Sequence, residues 1–249
     1  MPFTFSHPAI VLPLKYFPKK WFSLTGLVIG SMVPDFEYFI RMKVKSIYSH
    51  TIDGIFWFDL PLALLLAFLF HNIVKKYLFQ NLPKSFQIRL SIFNDFNWNN
   101  YFKNNWFIII ISILTGTASH LFWDSFTHDH GYFVNRISWL QKTFSFFDIK
   151  IPALKIAQHS STIIGGTVIL YTFFKLPKGS TPIFSINKIY WILLLLISSI
   201  ILFFRFSTEL RAKEYGNIIV SIISSIMIAL VLTSIYYILA NFQKTRKFN

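Results

Sequence analysis

Residues 189–207 read IYWILLLLISSIILFFRFS, an apolar run broken by a single charge, Arg205. About 20 apolar residues in helical form cross the hydrocarbon core of a bilayer. Four further segments have comparable character, at 54–74, 106–127, 156–174 and 217–240. A membrane β-barrel would instead alternate apolar and polar residues over segments of about 10, and these runs do not alternate. The expected fold class is therefore all-α, a polytopic helical membrane protein with about five spans. Composition supports this: 54% of residues are apolar and only 14% charged, against about 25% charge in a soluble domain. An ordinary soluble globule and intrinsic disorder are both excluded.

The N-terminal third is less regular. Trp21 to Val33 is apolar but short, carries Gly26 and Gly30, and stops at Pro34. It reads as a re-entrant or interfacial helical element, preceded by a short helix near Ser6–Leu14. Pro2, Pro8 and Pro13 interrupt the opening apolar run, which lacks the leading basic region of a secretory signal. The chain is expected to form one integral membrane domain over 1–249. Within it, 1–174 would be the core that carries the site, and 175–249 would supply two anchoring or packing helices. Ser221, Ser224 and Ser225 in the last span are small residues that permit close helix packing.

Two connecting segments are long. The segment 75–105 is basic and aromatic and is expected to be a loop. In 128–155, Ile137, Leu140, Phe144 and Phe147 recur at helical spacing, which predicts an amphipathic helix in the membrane interface. Lys and Arg number 24 against 10 acids, for a net charge of +14. In a membrane protein this excess suits anionic head groups, so lipids and not nucleic acid are the expected partner. The basic residues divide almost evenly between the two faces and do not set an orientation. No internal repeat marks the chain as a transporter of the inverted-repeat kind.

With no cysteine, any metal site must use His and carboxylate. The topology draws such residues to one membrane face. His50 precedes the first long span, His120 and Asp124 end the second, His128 follows them, and His159 opens the third. His7 and Asp35 join this set if the short N-terminal helix turns back. His120 and Asp124 are four residues apart and share a helix face. Charges in a span are costly and are best tolerated around a cation; His with carboxylate suits Zn²⁺, Mn²⁺ or Fe²⁺. The expected metal ligands are His7, Asp35, His50, His120, Asp124, His128 and His159. Asp59, inside the first span, would orient His120, and Glu37 would serve as general base.

The ordered segments MPFTFSHPAIVLPL, GSMVPDFEYF, YSHTIDGIFWFDLP and HLFWDSFTH together resemble DUF4184, a family of uncharacterised bacterial membrane proteins. This implies a multi-pass protein of the bacterial cytoplasmic membrane. In broader pattern the chain resembles the membrane-bound metal-dependent hydrolases, which share an early His, a Pro-Asp turn, a Thr-His-Ser box and H-x3-D. Here the box reads Ser49-His50-Thr51. A more distant likeness is to zinc-dependent phospholipase C, whose order of ligands matches His7, Asp35, His50, His120 with Asp124, His128 and His159. The last H-x3-E pair of that family is missing, because position 163 is Ile.

The leading expectation is a metal-dependent hydrolase, with zinc as the favoured metal, acting on a lipid-like or phosphoester substrate at the head-group level. Two alternatives stand beside it. One is an ion-coupled transporter or channel using Asp59, His120 and Asp124 as a relay. The other is a non-catalytic membrane scaffold with a structural metal.

Overall fold

The computed structural model describes residues 3–18, 20–129, 131–147, 149–179, 184–207 and 214–247. It is helical nearly throughout. The helices are α1 (Pro8–Val11), α2 (Leu24–Gly30), α3 (Phe36–Arg41), α4 (Ile52–Asn81), α5 (Lys84–Leu90), α6 (Trp98–Asp124), α7 (Ala153–Phe174), α8 (Lys188–Phe206) and α9 (Tyr215–Lys247). A β-hairpin pairs β1 (Thr143–Phe146) with β2 (Ile149–Pro152).

Among the described residues, four helices are long and apolar enough to cross a membrane: α4, α6, α8 and α9. The fifth expected span forms α7, a helix of 22 residues. At about 1.5 Å per residue it is long enough to cross, but its first half carries Lys155, Gln158, His159, Ser160 and Ser161. The expected element near the N-terminus is present as a 3-10 turn (Thr4–Ser6), α1, a second turn (Leu12–Tyr16) and α2.

Two expectations for the connecting segments need correction. The amphipathic helix over 137–147 does not form; turns lead into the β-hairpin instead. The local alternation Thr-Phe-Ser-Phe, answered by Ile-Lys-Ile, follows the period of 2 that a strand needs, and Phe147 takes a left-handed turn conformation (φ 51°). The segment 75–105 is not a loop either. It continues α4 to Asn81, forms α5, and begins α6 at Trp98. A non-helical residue, Asn105, kinks α6 close to where the apolar run starts.

The chain divides into two compact units. The first comprises 1–35, 47–64 and 102–175; the second comprises 36–46, 65–101 and 176–249. In the second unit, α8 and α9 pair along their length. Ser198 and Ser225 share a hydrogen bond at 2.8 Å, and Tyr77, Tyr190, Leu194 and Ala229 form a core. Ser224 donates to the Phe39 carbonyl and Ser221 to that of Met42. The serines of α9 therefore both allow close approach and satisfy the end of α3. His71 stacks on Trp98 in this unit, with centroids 4.9 Å apart.

The first unit is organised by a seam of small residues between α2 and α6. A side-chain carbon on Gly30 would lie 2.3 Å from the Ile113 carbonyl oxygen, and one on Gly116 would lie 2.5 Å from that of Leu27. The backbones meet because neither position has a side chain. Polar groups seal the contact. Ser112 accepts from the Ser23 amide at 2.7 Å, and Thr117 donates to the Gly30 carbonyl at 3.2 Å. This seam brings the end of α2 against the last turns of α6.

Candidate metal centre

Each side chain of the site reaches it for a local reason. α2 ends at Gly30, and Pro34 lies in the 3-10 turn Val33–Asp35 that leads into α3 and leaves Asp35 fully buried. His50 sits one residue before Thr51, which caps α4 by accepting from the Gly54 amide at 3.0 Å. To enter that cap, His50 adopts φ 62°. This left-handed conformation costs a residue with a side chain about 1–2 kcal/mol and is retained where the surroundings demand it. His120 and Asp124 lie one turn apart on α6.

These four side chains converge. Asp35, His50, His120 and Asp124 each offer one ligand atom, and the four atoms lie within 4.8 Å of one another. His50 Nε2 is 3.5 Å from both Asp35 Oδ1 and Asp124 Oδ2. His120 Nε2 is 3.6 Å from Asp35 Oδ1 and 3.2 Å from Asp124 Oδ2. Tetrahedral ligation with bonds of about 2.0–2.2 Å places ligand atoms roughly 3.3–3.6 Å apart. The carboxylate-to-imidazole separations fit that spacing.

The hydrogen-bond pattern fits it too. His120 Nδ1 donates to the Ser31 carbonyl at 2.8 Å, which leaves Nε2 of the neutral ring as a lone pair. That lone pair faces two carboxylate oxygens. Asp35 Oδ1, His120 Nε2 and Asp124 Oδ2 are all buried and make no hydrogen bond among the described residues. Buried acceptors turned toward one another are costly, and a shared divalent cation satisfies all of them. The group can hold a metal ion.

Without a metal, protons take the place of the cation and the imidazoles pair with the carboxylates. Burial alone would raise the Asp35 carboxyl, but His120 and His50 hold it well below the usual carboxylate range. Burial pulls His50 down, but Asp124 and Asp35 outweigh it and raise its pKa above that of an ordinary histidine.

His7 and His128 adjoin this group. His7 is fully buried, stacks on His120 at 3.9 Å between centroids, and has Nε2 3.2 Å from Asp124 Oδ1. His128 is partly exposed, with Nδ1 3.4 Å from Asp124 Oδ2 and 3.2 Å from the Asp124 carbonyl; burial lowers its pKa. His159 is not brought in; it lies exposed on α7. Asp59 is buried in a π-helical turn, Ile55–Asp59, while the hydrogen bond that orients His120 goes to Ser31. Glu37 belongs to the second unit, where Arg41 and Ser46 bind its two oxygens. His130 lies outside the described residues.

Three contributors were missed by reading the residues alone: Thr4, which donates to Asp35 Oδ2, the Ser31 carbonyl, and Ser49, 3.0 Å from His50 Nδ1. Only Thr4 left a trace, three residues before His7 and on the same turn.

The fold and this buried His/Asp group define a polytopic helical membrane protein with a candidate metal centre at the end of one span. The family described as a domain of unknown function, DUF4184, matches residues 1–235, and the chain belongs to it. No curated protein and no solved structure matches the chain.

Proposed function

We propose that the protein is an integral membrane, metal-dependent hydrolase of ester or phosphoester bonds in lipid-like substrates, working at the head-group level of the bacterial cytoplasmic membrane. The observation that carries this reading is the facing of Asp35 Oδ1, His50 Nε2, His120 Nε2 and Asp124 Oδ2 within one small volume. Two imidazoles and two carboxylates suit zinc, and their two negative charges match a divalent ion. A metal held there would supply Lewis acidity; with four protein ligands already on it, water or a substrate oxygen would have to enter as a fifth ligand.

The chain's own residues set access and orientation. Asp35, His7 and His120 are fully buried and form the floor of the group. His50 and His128 are its partly exposed members, with 17% and 34% of their side-chain surfaces open. A substrate therefore approaches from their side. His128, held at Nδ1 by the Asp124 carbonyl, keeps Nε2 for ligation or for exchanging a proton with water or substrate.

The test is release of a head group or phosphate from a panel of membrane lipids by the purified, zinc-loaded protein. Release that stops with chelator and is lost in Asp124→Asn supports the reading. Absence of turnover on every lipid class by metal-loaded protein contradicts it.

A further inference from the structure

The N-terminal turn does more than cover the metal group. Thr4 Oγ1 donates to Asp35 Oδ2, whereas Asp35 Oδ1 is the oxygen turned toward His50 and His120. Asp124 is divided in the same way. Its Oδ1 meets His7 Nε2 at 3.2 Å, and its Oδ2 meets His50 and His120. His7 Nδ1 also lies 3.3 Å from the Thr4 carbonyl. The carboxylate is the charged acceptor of the two, so the ring proton is assigned to Nε2. His7 is not among the four residues whose ligand atoms are mutually close.

The turn is itself seated on α7. The Phe3 amide donates to Thr162 Oγ1 at 3.0 Å, and Ser6 Oγ donates to the Thr162 carbonyl at 3.1 Å. A side-chain carbon on Gly165 would lie 2.8 Å from the Ser6 carbonyl oxygen. The turn therefore lies directly on the helix backbone.

We infer that Thr4 and His7 form a clamp that makes each carboxylate a single-oxygen ligand, so that both are positioning residues and His7 is not a ligand. The inference rests on the metal reading above. A carboxylate held at its outer oxygen cannot turn to chelate with both oxygens. Released, it can do so, which changes the coordination number and the affinity. Partners of this kind are worth about 10–100-fold in metal affinity. The clamp also gives α7 a task other than ligation: it holds the turn that holds the carboxylates.

The experiment titrates Co²⁺ into the metal-free, full-length protein and records affinity and visible spectrum. Thr4→Val and His7→Phe remove the outer donors; the second keeps an aromatic ring on His120. Both should weaken Co²⁺ binding about 10–100-fold and replace an intense four-coordinate spectrum with the weaker one of higher coordination. Thr4→Ser and His7→Gln restore a donor and should stay within a few-fold of wild type, with its spectrum. Should Thr4→Val fail to fold, the His7 pair decides. The clamp is overturned if the Val and Phe variants keep wild-type affinity and spectrum, or if the Ser and Gln variants lose as much as they do. Wild-type protein that takes up no Co²⁺ overturns the metal reading itself, a result distinct from either of these.

Discussion

Adding one methyl group at Gly116 should loosen the site from a distance. The new carbon would lie 2.5 Å from the Leu27 carbonyl oxygen and 2.6 Å from the Ser31 amide, where ordinary contact begins at 3.4 Å. All of these are backbone atoms, so no side chain can swing aside. α2 must then retreat by roughly 0.8 Å, which would carry the Ser31 carbonyl from 2.8 Å to the limit of hydrogen-bond reach from His120 Nδ1. Overpacking costs about 1–3 kcal/mol, and a buried donor left unpaired costs about 1–3 kcal/mol. Ala regains up to about 1 kcal/mol in helix propensity over Gly. The net loss for Gly116→Ala is of order 2–4 kcal/mol, or roughly 5–15 °C in the melting temperature of a chain this size. Gly166→Ala is the control, because a carbon there meets nothing within 4 Å; it should melt with or slightly above wild type. Thermal unfolding of the purified protein in detergent reads both. Gly116→Ala melting with wild type, or Gly166→Ala damaged equally, would show that the close α2–α6 approach does not hold Ser31 against His120.

Three further outcomes follow from the same geometry. Chelator should lower the melting temperature of wild-type protein and zinc should restore it, with no response in His120→Ala, because a ligand bound only to the folded state stabilises it. In the metal-free protein, Asp35 has a depressed pKa, so its stabilising share is complete above the ordinary value of 3.8 and is lost as pH falls further. His50 has a raised pKa, so its share is complete below 6.5 and is lost as pH rises through the folded value; melting temperatures across pH should fall on both sides, and less so in Asp35→Asn. Cysteines placed at Thr51, Asp129 and Lys155 should all react with an impermeant label from one side of the membrane, and mixed labelling would break the topological argument that brought the site residues together.

Much of the site was legible because membrane topology acts as a filter. An apolar span fixes which of its ends meet which loops, so His50, His120 and Asp124 had to share a face before any contact was known. The i, i+4 spacing of His120 and Asp124 then fixed their common direction. Direction was not legible elsewhere. His159 lies near the start of its helix as expected, but one residue of helix turns by about 100°, and nothing in the sequence set its angle. The Ser31 carbonyl as a partner of His120 was not legible: every residue has a carbonyl, and the glycine seam brings that one into place. The segment 137–147 shows two competing periods. Four apolar residues match a helix, whereas Thr143 to Pro152 alternates as a hairpin, and the shorter period won. Thr4 lies 31 residues from Asp35, and its contact depends on the N-terminal turn folding back onto α7.

Elemental analysis of full-length protein, purified without chelator from metal-replete cells, decides whether Asp35, His50, His120 and Asp124 hold a metal. At least one transition-metal ion per chain is expected, zinc foremost, with strong loss in folded His120→Ala and Asp124→Ala. Wild-type protein that carries no metal and binds none on titration with Zn²⁺ would contradict the metal reading.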